Sequence, residues 1–174
     1  MNVIAFDTET TGFSCALSGG SDEMLQLAIV DEDGRALFNE MFCPAVKRSW
    51  PWAEAVHGIS PRMVRGLAPF ENYRETVQGL IDEADLLIAY NFDFDARFLR
   101  SVGISFSGKR HFDVMKEFAR LHGVPGRTGR RSYVKLERCA AYYGYAIEGA
   151  HDAEADAKAT MYCFRELGRE LGVR

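Results

Sequence analysis

The chain has 174 residues, of which 47% are apolar and 26% charged, and it carries a net charge of −4. That length suits one well-cored domain rather than two, and no apolar run approaches the roughly 18 residues of a membrane span. The acidic balance argues against a protein that coats nucleic acid through charge alone, but not against a site that grips a few nucleotides beside bound cations.

Residues 2–6 form an apolar run that predicts a first strand, with Asp7 at its exit. A loop over 12–23 leads to a second strand at 24–30, and alternation over 36–42 predicts a third. Asp31-Glu32-Asp33-Gly34 reads as the hairpin turn between them. The first third is therefore expected to be a β-meander. Short helices follow at 52–57 and 61–65, the latter with Ser60 as N-cap and Pro61 at the first helical position. Tyr73, Val77, Leu80 and Ile81 fall at helical spacing. Leu86-Leu87-Ile88-Ala89 predicts a buried strand, and Phe94, Phe98 and Leu99 a helix after it. Val114, Phe118 and Leu121 mark another helix, as do Leu136, Ala140 and Tyr143, and a long terminal helix is expected over 153–171. Strands first and helix–strand–helix afterwards predict an α/β domain with a mixed sheet, spanning residues 1–174.

Cys15, Cys43, Cys139 and Cys163 form no Cys-x-x-Cys pair and have no zinc-type spacing with histidine. They are expected to be free thiols in a reducing cytoplasm. The N-terminus has no basic and apolar leader pattern, and Asp7 and Glu9 come too early for a cleavable segment.

Asp7 and Glu9 are two apart, so an extended strand directs both carboxylates to one face. Thr8, Thr10, Thr11 and Gly12 around them are small enough for close approach of a ligand and offer backbone amides to it. Asp95 lies in the first turn of a predicted helix, where the helix N-terminus favours an acid. Asp93 competes with it, but the two fall on different helix faces, so only one points into a site. His151 precedes the terminal helix and Asp156 sits in its first turns, while Asp152 and Glu154 read as capping and surface acids. Carboxylates gathered without basic partners call for a hard divalent cation.

Three stretches together resemble the DEDDh 3′–5′ exonucleases, the family of the proofreading ε subunit of bacterial DNA polymerase III, RNase T and oligoribonuclease. They are Asp7-Thr8-Glu9-Thr10-Thr11-Gly12, then Asn91, Phe94, Asp95, Phe98 and Leu99, then His151, Ala153, Asp156 and Ala157. The second stretch selects Asp95 over Asp93, and Tyr90 stands where the family usually has histidine. Val56-His57-Gly58-Ile59-Ser60 is similar to a family segment near the terminal nucleotide.

The resemblance implies an RNase H-like fold, with a mixed five-stranded sheet made of an antiparallel meander plus parallel strands. It implies two Mg²⁺ or Mn²⁺ ions on Asp7, Glu9, Asp95 and Asp156, with Asp7 bridging both. Glu9 and Asp156 would hold the ion that carries the attacking water, and Asp95 the other. His151, whose ordinary pKa is about 6.5, would take the water's proton. Two such ions stabilise both the attacking and leaving oxygens of a phosphoryl displacement.

Thr8, Thr10, Thr11, Gly12, Phe13, His57, Asn91 and Phe94 are expected to line the substrate, with Phe13, His57 and Phe94 packing on bases. Arg127, Arg130, Arg131 and Lys135 are candidates to follow the phosphate backbone. The expected substrate is the 3′ end of single-stranded nucleic acid, DNA favoured, with a DNA polymerase as a candidate partner and no membrane. An exoribonuclease or a non-catalytic polymerase-associated module is the alternative; the module has no use for a general base.

Overall fold

The computed structural model describes residues 1–125, 131–149 and 151–172. Five strands, β1 (Val3–Thr10), β2 (Met24–Val30), β3 (Ala36–Met41), β4 (Leu86–Ala89) and β5 (Arg110–Asp113), form one sheet in the order β3-β2-β1-β4-β5. β1–β2 and β2–β3 pair antiparallel, whereas β1–β4 and β4–β5 pair parallel. This is the mixed, RNase H-like arrangement that the sequence resemblance implies. The helices are α1 (Pro51–His57), α2 (Pro61–Val64), α3 (Arg74–Glu83), α4 (Phe92–Ser101), α5 (Val114–His122), α6 (Leu136–Tyr142) and α7 (Ala153–Glu170).

Every residue of β2 is buried, because a central strand covered on both faces reads as a continuous apolar run. β1 divides its side chains between two cores. Ile4 and Phe6 pack with Val77 and Ile81 of α3 and Phe92, Ala96 and Leu99 of α4. Val3 and Ala5 pack with Ala153, Ala157 and Met161 of α7 on the opposite face. Alanines at fully buried positions let the α7 backbone approach the sheet closely, which sets where its first turns lie. A smaller cluster of Leu25, Trp50, Ile59 and Val64 anchors α1 and α2, with Trp50 Nε1 donating to the Ile59 carbonyl at 2.7 Å.

The hairpin turn forms as expected. Gly34 adopts φ 79°, and the Asp31 carboxylate accepts from the Asp33 and Arg35 amides at 2.9 Å each. One expectation needs correction. β1 runs on to Thr10, so Asp7 lies inside the strand rather than at its exit; β2 still pairs with β1 through this polar stretch. β5 left no periodic signal, because it has four residues, Arg-His-Phe-Asp, none of them fully buried. Ser60 occupies the N-cap of α2 with Pro61 at the helix start, as expected, although its hydroxyl makes no cap bond. All four cysteines are free, and Cys15, Cys139 and Cys163 are buried. Among the described residues no helix is long and apolar enough to cross a membrane.

Candidate active site

β4 pairs with β1 only from Val3 to Ala5, and β4 ends at Ala89. The edge of β1 beyond Ala5 therefore has no strand partner on that side. Such a crevice at the carboxyl ends of parallel strands is where open α/β sheets place ligands. Asp95, 3% exposed, fills it. Its Oδ1 accepts from the Thr8 amide at 3.1 Å and from the Thr8 hydroxyl at 2.6 Å. The chain reaches this geometry through Asn91, which turns sharply from β4 into α4 at φ 86°. Asparagine tolerates that left-handed conformation better than most residues.

Beside it, on the α7 face of β1, Asp7 and Glu9 meet Asp156 from α7. One carboxylate oxygen from each lies within 4.8 Å of the others. α7 starts at an Asp152 N-cap, whose Oδ1 accepts from the Glu154 and Ala155 amides at 3.1 and 3.3 Å. Oδ2 of Asp152 accepts from Gln26 Nε2 at 3.0 Å, tying the helix start to the middle of β2. Gln26 is 5% exposed and also binds Asn39 at 3.0 Å. A glutamine inside an otherwise apolar strand was the signal for this support, and sequence reasoning passed over it.

The cluster is electrostatically strained. Burial, then Asp95 and Glu9, pushes Asp7 well above the usual carboxylate range. Burial, then Asp156 and Asp95, raises Glu9 to about 8. Burial raises Asp95 to about 7 against the bonds from Thr8. Burial raises Asp156 to about 6, opposed by His151. Among the described residues Asp156 Oδ1 is buried with no hydrogen-bond partner. An orphaned carboxylate oxygen facing two more carboxylates is a donor set for a hard divalent cation, so these residues fit one.

Asp93 is exposed and pairs with Lys116, away from the cluster. His151 sits at φ 66° just before α7, its backbone amide donating to the Asp156 carboxylate. Its ring is partly exposed, with Nε2 at 3.5 Å from Glu137 Oε1 of α6. His57 Nε2 contacts the Thr10 carbonyl at 3.2 Å while Nδ1 accepts from the Ile59 amide at 3.0 Å, which fixes the tautomer protonated on Nε2. Burial holds its pKa below the usual value.

The threonine hydroxyls donate inside the chain. Thr10 donates to the Gly12 carbonyl at 2.7 Å, and Thr11 bonds Asp22 at 3.2 Å. A Cβ at Gly12 would lie 2.5 Å from Asp22 Oδ2, so a larger residue there would have to displace the Asp22 side chain. Phe13 is 84% exposed, edge-on to the partly buried Phe94 at 6.3 Å between centroids. Tyr90 is buried, and its hydroxyl donates to the Val134 carbonyl at 2.6 Å, a tether to the segment before α6. Of the basic stretch, Arg127 and Arg130 lie outside the described residues. Arg131 donates to the Gly123 carbonyl at 2.8 Å, and Lys135 is exposed at the start of α6.

A family model described as exonuclease, RNase T, matches residues 4–164. The PolC-type DNA polymerase III of Lacticaseibacillus paracasei is 30% identical over 96% of this chain. The DNA polymerase III subunit epsilon of Treponema pallidum is 27% identical over 94% of it. The chain spans 11% of the first relative and 74% of the second. The nuclease domain of 3′hExo, a DEDDh family member solved bound to rAMP, superposes with a TM-score of 0.72 at 15% identity, covering 99% of this chain and 94% of that one. The family match runs through every element that builds the crevice, from β1 to most of α7, and the chain belongs to the RNase T exonuclease family, the DEDDh 3′–5′ exonucleases.

Proposed function

We propose that the chain removes nucleoside monophosphates from the 3′ end of single-stranded nucleic acid, DNA favoured, by cation-assisted phosphodiester hydrolysis. The observation that carries this reading is the three-carboxylate cluster of Asp7, Glu9 and Asp156, with an orphaned buried oxygen on Asp156. Two divalent cations, Mg²⁺ or Mn²⁺, would be held by these residues together with Asp95, and would supply charge stabilisation at the attacking and leaving oxygens.

The protein's own contributions follow from the fold. Thr8 keeps Asp95 aimed from the crevice. Gln26 and the Asp152 cap hold Asp156 on the first turn of α7. His151, five residues ahead of Asp156, accepts a proton from the attacking water as its ring turns from Glu137 toward the cluster. His57 and Phe13 mark the side on which the terminal nucleotides bind. DNA is favoured because the sequence relatives named above are DNA polymerase III proteins. Their likeness also makes a DNA polymerase the candidate partner.

The test is digestion of 5′-labelled single-stranded and duplex DNA and RNA with Mg²⁺, Mn²⁺ or chelator. The expected result is metal-dependent shortening from the 3′ end that stalls at a 3′-phosphate. Internal cleavage of the blocked strand would refute the exonuclease reading, and metal-independent binding without cleavage would favour the non-catalytic module.

A further inference from the structure

Arg97 is the one arginine among the described residues that is not exposed. Among the described residues its Nε is buried without a hydrogen-bond partner, and no carboxylate pairs with its guanidinium. Burying part of a cation without partners is costly, and the surroundings of Arg97 do little to offset it. The guanidinium carbon lies 6.0 Å from the centroid of the Phe94 ring. That is the outer limit of a cation–π contact, and it leaves the in-plane N–H donors unused.

The position of this unpaired cation is informative. Arg97 lies on α4, two residues beyond Asp95. Its carbonyl accepts from Cys15 Sγ at 3.7 Å, which sets it against the segment that follows Phe13. Phe13, 84% exposed, is edge-on to Phe94, so an open aromatic surface leads from the end of β1 to the guanidinium. Two residues on a helix are separated by about 200°. Arg97 and Asp95 therefore leave α4 from different faces, which sets the guanidinium apart from the carboxylate cluster.

From this we infer that Arg97 is a strand-positioning residue that binds a backbone phosphate upstream of the scissile one, with the intervening bases against Phe13 and Phe94. The chemistry suits the task. A guanidinium presents a planar fork of donors that matches phosphate oxygens, and aromatic faces stack on any base. A chain of net charge −4 with clustered carboxylates at its site also needs a local cation to draw a polyanion in. The inference rests on the proposed exonuclease reading and adds to it a preference for strands longer than a dinucleotide.

The experiment compares the full chain with Arg97→Met and Arg97→Lys on single-stranded DNA of two to twelve nucleotides. Expected for Arg97→Met is a KM raised about tenfold on long strands, with kcat within about twofold. No change is expected on a dinucleotide, which has no upstream phosphate. The slope of log affinity against log salt should fall by about 0.7, the value for one phosphate contact on a single strand. Arg97→Lys should recover part of the KM. A scan of single neutral methylphosphonate linkages should weaken wild-type binding at one upstream position and leave Arg97→Met indifferent there. Equal KM at all lengths, or the same methylphosphonate profile in both proteins, would overturn the inference. If the wild type cleaves nothing, the exonuclease reading fails first, and anisotropy binding of the same neutral-linkage series still decides the role of Arg97.

Discussion

Removing divalent cations should make the stability of this protein fall as pH rises, the reverse of the usual acid-denaturation trend. The folded pKa values of Glu9, Asp95 and Asp156 stand at about 8, 7 and 6, above their ordinary values of 4.5, 3.8 and 3.8. A group whose folded pKa is raised stabilises fully below its unfolded pKa, and that contribution is lost as pH climbs through the folded value. The window is therefore about pH 5 to 8.5. A tenfold change in acidity is worth about 1.4 kcal/mol, so the rise of Glu9 from 4.5 to about 8 corresponds to at most about 5 kcal/mol for that group alone. His57, with its pKa lowered by burial, acts in the opposite sense near the lower end of the window, but it is a single partly exposed group. A net loss of about 3 kcal/mol translates to a melting temperature lower by roughly 6–12 °C for a chain of this size. Saturating Mg²⁺ or Mn²⁺ at about a hundred times its Kd returns about 2.7 kcal/mol. The assay is thermal unfolding followed by circular dichroism from pH 5 to 8.5, in chelator and in cation. Glu9→Gln should melt higher than wild type in chelator at pH 8.5 and gain less from cation. A melting temperature that is flat or rises with pH in chelator would refute the reasoning.

Other substitutions separate the roles of the surrounding residues. His151→Ala should reduce kcat by about a hundredfold or more while keeping most cation-induced stabilisation, measured by single-turnover kinetics and melting. Thr8→Val removes the 2.6 Å bond to Asp95 and should cost about 1–2 kcal/mol on denaturant unfolding, together with a drop in kcat. Gln26→Leu suits the apolar strand but releases Asp152, so it should lower kcat while thermal stability changes by less than about 1 kcal/mol. Tyr90→Phe frees the Val134 carbonyl and should speed amide exchange around residues 134–136.

Sequence patterns carried most of this fold. β2 and β4 were legible because fully buried strands read as unbroken apolar runs, and α7 because its alanines and large apolar residues keep helical spacing. The i, i+2 spacing of Asp7 and Glu9 places both on the α7 face of β1, which strand geometry requires. β5 stayed hidden because its pairing with β4 is backbone hydrogen bonding that few side chains advertise.

The remaining decisions belong to tertiary structure. Composition and spacing cannot show that β4 stops pairing at Ala5 of β1, yet this opens the crevice that Asp95 enters. Nor can they show that the hydroxyls of Thr8, Thr10 and Thr11 are bound internally, or that Arg97 Nε has no hydrogen-bond partner among the described residues. Residue types and local spacing determine which groups share a strand face or a helix turn. Which groups 87 positions apart meet, and which donors remain unpaired, is decided only when the strands are ordered and the helices are packed on them.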